Sequence, residues 1–134
     1  MVDFNLRPQE YSPLVLAYIG DSIYEVHIRS RFVASCNEKV SSLHRKSSSF
    51  VCASAQSRAY AYIKELLTEE EDVVFKRGRN AKSATVPKNA DVIEYRCATG
   101  LEALIGYLYI KKDYDRVEEL MDKIFDFLAN PEGV

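Results

Sequence analysis

A chain of 134 residues, 47% hydrophobic and 28% charged, is long enough to bury a core as one domain over residues 1–134 without disulfide or metal staples. Its three cysteines (Cys36, Cys52 and Cys97) form no C-x-x-C, and no apolar run approaches the ~18 residues of a membrane span, so a disulfide scaffold, a structural zinc site and a membrane protein are set aside. The net charge of −2 hides an asymmetry: Val73 to Ala90 holds Lys76, Arg77, Arg79, Lys82 and Lys88 with no acid, leaving −7 on the rest, which points to a localised anion-binding site.

In chain order, MVDFNLRPQEYSP lacks the basic-then-apolar order of a signal peptide, so a soluble intracellular protein is expected. Ser12-Pro13 is a helix start, with serine as N-cap and proline in the first helical position. The helix predicted from there runs to about Cys36 and is apolar on most sides, which marks a central element. Between Leu14 and Ile28 its only certain charges are Asp21 and Glu25, and a carboxylate buried in such a setting needs a partner. Gly20, just before Asp21, costs about 1 kcal/mol against alanine in a helix interior, so it marks close packing or access to a site.

Asn37, Ser41 and Ser42 punctuate the chain. A second helix is predicted from about Ser42 to Leu67, with Leu43, Phe50, Ala53, Ala61 and Ile63 toward the core and the serine-rich KSSSF, Lys46 to Phe50, as a place to bend. Thr68-Glu69-Glu70-Glu71 is a capping box that opens a short third helix ending near Gly78. Arg79 to Ala90 reads as a loop. Asp91 starts a fourth helix, and Cys97 to Ile110 is a nearly apolar helical run interrupted by Thr99, Gly100, Glu102 and Gly106. Asp113 caps a last amphipathic helix with Val117, Leu120, Ile124, Phe127 and Leu128 on one side. Nothing alternates with period two between hairpin turns, so the fold expected is all-α with five to seven helices.

Two helices therefore share one oddity. Each is apolar and carries a lone carboxylate beside glycine: Asp21 in YIGDSIYE and Glu102 in ATGLEALIG. Two carboxylates facing each other cannot both stay ionised without a cation. One solution is an ion pair to an arginine such as Arg45, Arg58 or Arg96. The other is a divalent ion: hard oxygen ligands suit magnesium or manganese, and magnesium takes one or two carboxylates while keeping several waters. The basic segment KRGRNAKSATVPKN supplies arginines and lysines for phosphate but no aromatic ring for base stacking, which suits a duplex read by its backbone; its plainer reading is a solvated loop. The two histidines, His27 and His44, suggest no Ser-His-Asp set, and the cysteines read as small apolar residues on helices.

AYIGDSIYEVHIR resembles the signature helix of the ribonuclease III family, E-x-L-E-[FY]-L-G-D-[AS]-[IV]-L, and TGLEALIGYLYI resembles its second metal-binding helix, D-x-[FV]-E-A-[LI]-[IL]-G-[AG]. The stretch KRGRNAKSATVPKNADVIEYRCATGLEALIGYLY is similar to the Mini-ribonuclease III branch, short bacterial members without the C-terminal double-stranded-RNA-binding domain, and the likeness covers Pro13 to Leu128. The resemblance implies the ribonuclease III endonuclease-domain fold as a symmetric homodimer in the bacterial cytoplasm. It also implies cleavage of double-stranded RNA with Mg2+ (Mn2+ as substitute), leaving 5′-phosphate and 3′-hydroxyl ends. The substrate implied is precursor large-subunit (23S) ribosomal RNA, and a ribosomal protein that shapes it is an expected accessory partner.

Carried over residue by residue, the resemblance makes Asp21 and Glu102 catalytic and metal-binding. It departs at Ala17 and Thr99, where the family has acids one helical turn from those two on the same face. Small residues there leave room for water, which Thr99 could bond, so Thr99 is a supporting candidate; Glu25, one turn the other way from Asp21, is either a second supporting residue or the partner of an arginine. Lys76, Arg77, Arg79, Asn80, Lys82 and Lys88 are the RNA-binding candidates. The missing acids also admit a degraded domain kept for RNA binding or dimerisation, and the basic loop admits a small helical interaction protein that binds an acidic partner.

Overall fold

A computed structural model describes residues 2–82 and 86–131; Ser83, Ala84 and Thr85 of the predicted loop lie outside the described residues. The described chain forms six α-helices: α1 (Pro13–Ser35), α2 (Val40–Val51), α3 (Ala53–Ile63), α4 (Glu69–Asn80), α5 (Val92–Ile110) and α6 (Tyr114–Ala129). Single 3-10 turns cover Pro8–Glu10 and Lys64–Leu66. Four helices begin where the sequence writes a cap: Ser12, Thr68, Asp91 and Asp113 each accept from the backbone N–H three residues on, and Glu71 returns the bond to Thr68 N.

α5 is the axis of the core. Leu101, Leu104, Ile105 and Leu108 are fully buried on it, and α1, α3 and α4 pack around it with Leu16, Tyr24, Ile28, Ala59, Ile63 and Phe75. α6 closes the other side with Val117, Leu120, Met121, Ile124 and Leu128 and is tied by charge at two places. Arg116 meets the buried Glu71 of α4 at 2.8 Å and Leu66 O at 2.8 Å, while Arg31 of α1 meets Asp122 at 2.6 Å and Glu118 at 2.9 Å. Burial pushes the Glu71 carboxyl up, but Arg116 and the Thr68 backbone outweigh it and hold Glu71 below the ordinary glutamate range.

The boundaries differ from the sequence reading in instructive ways. The single helix expected from Ser42 to Leu67 is two, α2 and α3, and the break falls at Cys52, whose backbone is extended (φ −68°, ψ 159°), not within KSSSF. The serines stay helical; Ser49 Oγ donates to Lys46 O at 2.7 Å. The break lets Phe50 meet Phe32 and Phe125 at 5.0 and 5.2 Å, while α3 turns Ala55, Gln56, Ala59 and Ile63 inward. Ala61 is consequently exposed, not core. α4 runs two residues past Gly78, and the two runs after Asp91 are one helix. Gly100 does not interrupt α5, because its bare face is filled by Phe75, which a Cβ would meet at 2.8 Å. Of the cysteines only Cys97 is buried; Cys36 is half-buried and Cys52 exposed at the α2–α3 junction, and all three are free thiols.

α1 corrects the expectation of a helix covered on most sides. It buries Leu16, Ala17, Gly20, Tyr24 and Ile28 against the core. Its outer side leaves Val15, Tyr18, Val26 and Val33 in solvent, Tyr18 at 82% exposure. No described helix is long and apolar enough to cross a membrane.

Candidate active site

α1 and α5 cross with their backbones in contact. A Cβ added to Gly20 would lie 1.7 Å from the Glu102 carbonyl oxygen, and one added to Gly106 would lie 2.0 Å from the Leu16 carbonyl oxygen. Only glycine permits that approach. It fixes the neighbours of the crossing: Asp21, next to Gly20, and Glu102, one turn before Gly106, bring their carboxyl groups within hydrogen-bonding reach of each other.

The pair lies in an open cleft of about 410 Å³ whose wall includes Ala17, Tyr18, Tyr95 and Thr99. Asp21 is exposed at its mouth, which corrects the expectation of a buried carboxylate; Glu102 is the half-buried member. Burial first, and then the Asp21 carboxyl group beside it, pushes Glu102 up to about 8. One side chain opposes this: Gln56 of α3, 1% exposed, donates from Nε2 to Glu102 Oε2 at 3.3 Å. Its other amide atom, Oε1, is buried without a partner.

Among the described residues no arginine or lysine forms an ion pair with Asp21 or Glu102, the candidates Arg45, Arg58 and Arg96 included. Glu25 pairs with Arg29 at 2.9 Å. Ala17 and Thr99, which stand where the family pattern has acids, line the cleft, and Thr99 Oγ1 donates to Tyr95 O at 3.0 Å, which leaves its lone pairs able to accept. No three His, Cys, Asp or Glu side chains come together among the described residues, so there is no all-protein cage. The donor set nevertheless fits magnesium or manganese: two hard carboxylates crowded together, room for water, and an unmet amide oxygen behind them.

The predicted basic residues divide. Lys82 lines a groove of about 270 Å³ with Arg96, and this groove shares Tyr95 and Thr99 with the carboxylate cleft. Arg79 and Asn80 stand beside it in a smaller cleft with Ile93 and again Arg96; Arg79 lies over the Phe75 ring at 5.8 Å and donates to Asn80 Oδ1. Lys88 is exposed in the turn before α5. Lys76 and Arg77 do not join them. Lys76 pairs with Asp72 at 2.8 Å in a groove it shares with Glu65 and Glu69, and Arg77 reaches Gln9 O at 3.5 Å.

Sequence reasoning did not assign Gln56, Tyr95 and Arg96 to the site. Arg96 could have been found one turn before Thr99 on the same helix. Gln56 could have been found as the polar member of the buried Ala55, Ala59 and Ile63 row.

The family model of the ribonuclease III domain matches residues 14–113, which include the crossing of α1 with α5 and the basic segment. The chain is 46% identical over 111 residues to the Mini-ribonuclease 3 of Thermoanaerobacter sp. (strain X514), covering 83% of this chain and 78% of that protein. It is 47% identical over 119 residues to the Mini-ribonuclease 3 of Clostridium tetani (strain Massachusetts / E88), covering 88% and 79%. The crystal structure of a Fusobacterium nucleatum protein superposes with a TM-score of 0.80 at 34% identity, covering 88% of this chain and 94% of that one. The chain belongs to the ribonuclease III family, in its Mini-ribonuclease 3 branch.

Proposed function

We propose that this protein is a magnesium-dependent endoribonuclease that cuts double-stranded RNA, with precursor 23S ribosomal RNA as substrate, and that it works as a homodimer in the bacterial cytoplasm. The observation that carries the reading is the Asp21–Glu102 pair, two carboxyl groups within reach of one another with no cation from the described chain between them. Family membership supports the endoribonuclease activity.

Asp21 and Glu102 would hold the ion, with Mn2+ as a substitute. When bound, such an ion lowers the pKa of water and stabilises the charge that grows on a phosphodiester under attack. The chain's own residues do the rest. Arg79, Asn80 and Lys82, joined by Arg96, grip phosphates along the grooves beside the cleft, and Lys88, exposed in the turn before α5, adds a further cation. Thr99, shared by groove and cleft, and Ala17, within the cleft, are small and leave room for water. The apolar outer side of α1, with Val15, Tyr18, Val26 and Val33 exposed, supports a second copy as its cover, so that two clefts related by a two-fold axis serve two strands. A ribosomal protein that shapes the RNA is the accessory partner consistent with a small cationic groove.

The test is incubation of a duplex RNA with wild type and with Asp21→Asn, each with magnesium and with chelator. Magnesium-dependent cutting to 5′-phosphate and 3′-hydroxyl ends, lost in Asp21→Asn, is the expected result. Duplex RNA that is bound but intact in all four reactions would make the domain a binding module.

A further inference from the structure

We propose that Gln56 is a positioning residue for the metal site, orienting Glu102 as a ligand from behind. The inference rests on the metal reading given above and adds a third element, α3, to a site otherwise built on α1 and α5. Glu102 Oε2 accepts a bond from Gln56 Nε2 at 3.3 Å, and no other described side chain donates a hydrogen bond to that carboxylate. Glutamate has a broad terminal torsion, so without such a bond its two oxygens sweep an arc, and a ligand needs one of them held.

Gln56 itself is held. It is 1% exposed, one turn into α3, and its backbone N–H bonds to Cys52 O at 3.0 Å. Ala55, Ala59 and Ile63 pin the same face of α3 to the core. Burying a primary amide is unfavourable, and here half of it is unmatched: Oε1 has neither protein partner nor access to solvent. An apolar side chain of the same size would avoid both costs if packing were the whole role. What the amide does make is its one bond to Glu102 Oε2, which points to orientation of that carboxylate.

The test measures Mn2+ binding directly, by electron paramagnetic resonance titration without RNA. It compares wild type, Gln56→Met, Gln56→Asn, Glu102→Gln, and Gln56→Met combined with Glu102→Gln. Gln56→Met fills the space without an amide; Gln56→Asn keeps the amide but falls short of Glu102. Each is expected to weaken Mn2+ by about 10–100-fold, the usual effect of removing an outer partner of a ligand. Retention of duplex RNA in chelator is expected to be unchanged. Because Gln56 acts through Glu102, the combined variant should bind no more weakly than Glu102→Gln alone. Wild-type Mn2+ affinity in either folded Gln56 variant overturns the inference, as does full additivity in the combined variant. A wild type that binds no Mn2+, or an Asp21→Asn that binds it equally well, removes the metal reading itself, a result distinguishable from the failure of Gln56 alone.

Discussion

Glu102 gives the site a pH signature that can be read without substrate. Burial, followed by the Asp21 carboxyl group, raises it to about 8, so in the metal-free fold it keeps a proton at neutral pH. An unfolded chain releases that proton near the ordinary value of 4.5. Between those two values the folded state binds the extra proton, so the contribution of this group to stability is complete below the lower value and disappears as pH rises through the upper one. Glu102→Gln fixes the neutral form. In chelator the variant should match wild type near pH 5 and exceed it increasingly toward pH 9. The gain should be on the order of 1–2 kcal/mol, a fraction of full conversion because the partner Asp21 is exposed to water. Urea denaturation at each pH measures this; a stability difference that stays flat across the range would mean that Glu102 is not held up by its surroundings. Cleavage should be lost in the same variant, so a more stable protein would be an inactive one.

The helix crossing that makes the pair is equally testable. Gly20→Ala gains about 1 kcal/mol in helix propensity. Its Cβ, however, would sit 1.7 Å from the Glu102 carbonyl oxygen, backbone that cannot step aside without moving α5. The clash prevails, and a net loss of about 2–3 kcal/mol is expected, with cleavage falling further than stability because Asp21 and Glu102 separate. A urea midpoint at or above wild type would refute the crossing as described. That crossing was half legible in the sequence: Gly20 signalled close packing, and each lone carboxylate signalled a partner, but Gly106 read only as an interruption of an apolar run, and which helices met was known only through the family likeness. Caps were legible because Ser12, Thr68, Asp91 and Asp113 act through bonds three residues away. The α2–α3 break was not, because Cys52 is neither glycine nor proline and the turn is decided by distant rings, Phe32 and Phe125, that draw Phe50 toward them. Gln56 was legible only as a polar member of the row of Ala55, Ala59 and Ile63; its contact with Glu102 depends on α5 lying across it.

Charge and apolar surface are distributed over the molecule in ways no one helix reveals. A net charge of −2 gives no general affinity for RNA, so binding must come from the few cations that line the groove beside the cleft. Arg96→Ala and Lys82→Ala should each reduce the slope of log affinity against log salt by about 1, whereas Lys76→Ala, neutralised by Asp72 in another groove, should leave it unchanged; filter retention across a salt series separates them. The apolar surface poses the complementary problem. Val15, Tyr18, Val26 and Val33 recur along one side of α1 and remain exposed, on the same helix that carries Asp21. A row of that length on a helix whose opposite side is core is expected to be covered, and a two-fold axis lets the row cover itself. Val26→Asp places a charge in the middle of the row, at a residue 53% exposed, so the protomer should fold normally. In sedimentation equilibrium the wild type should run as a dimer and Val26→Asp as a monomer, whereas Val73→Asp, 57% exposed but on α4, should remain a dimer. A dimeric Val26→Asp would move the interface away from α1. A monomeric wild type would leave the row to a different partner and would require each cleft to cut its strand alone.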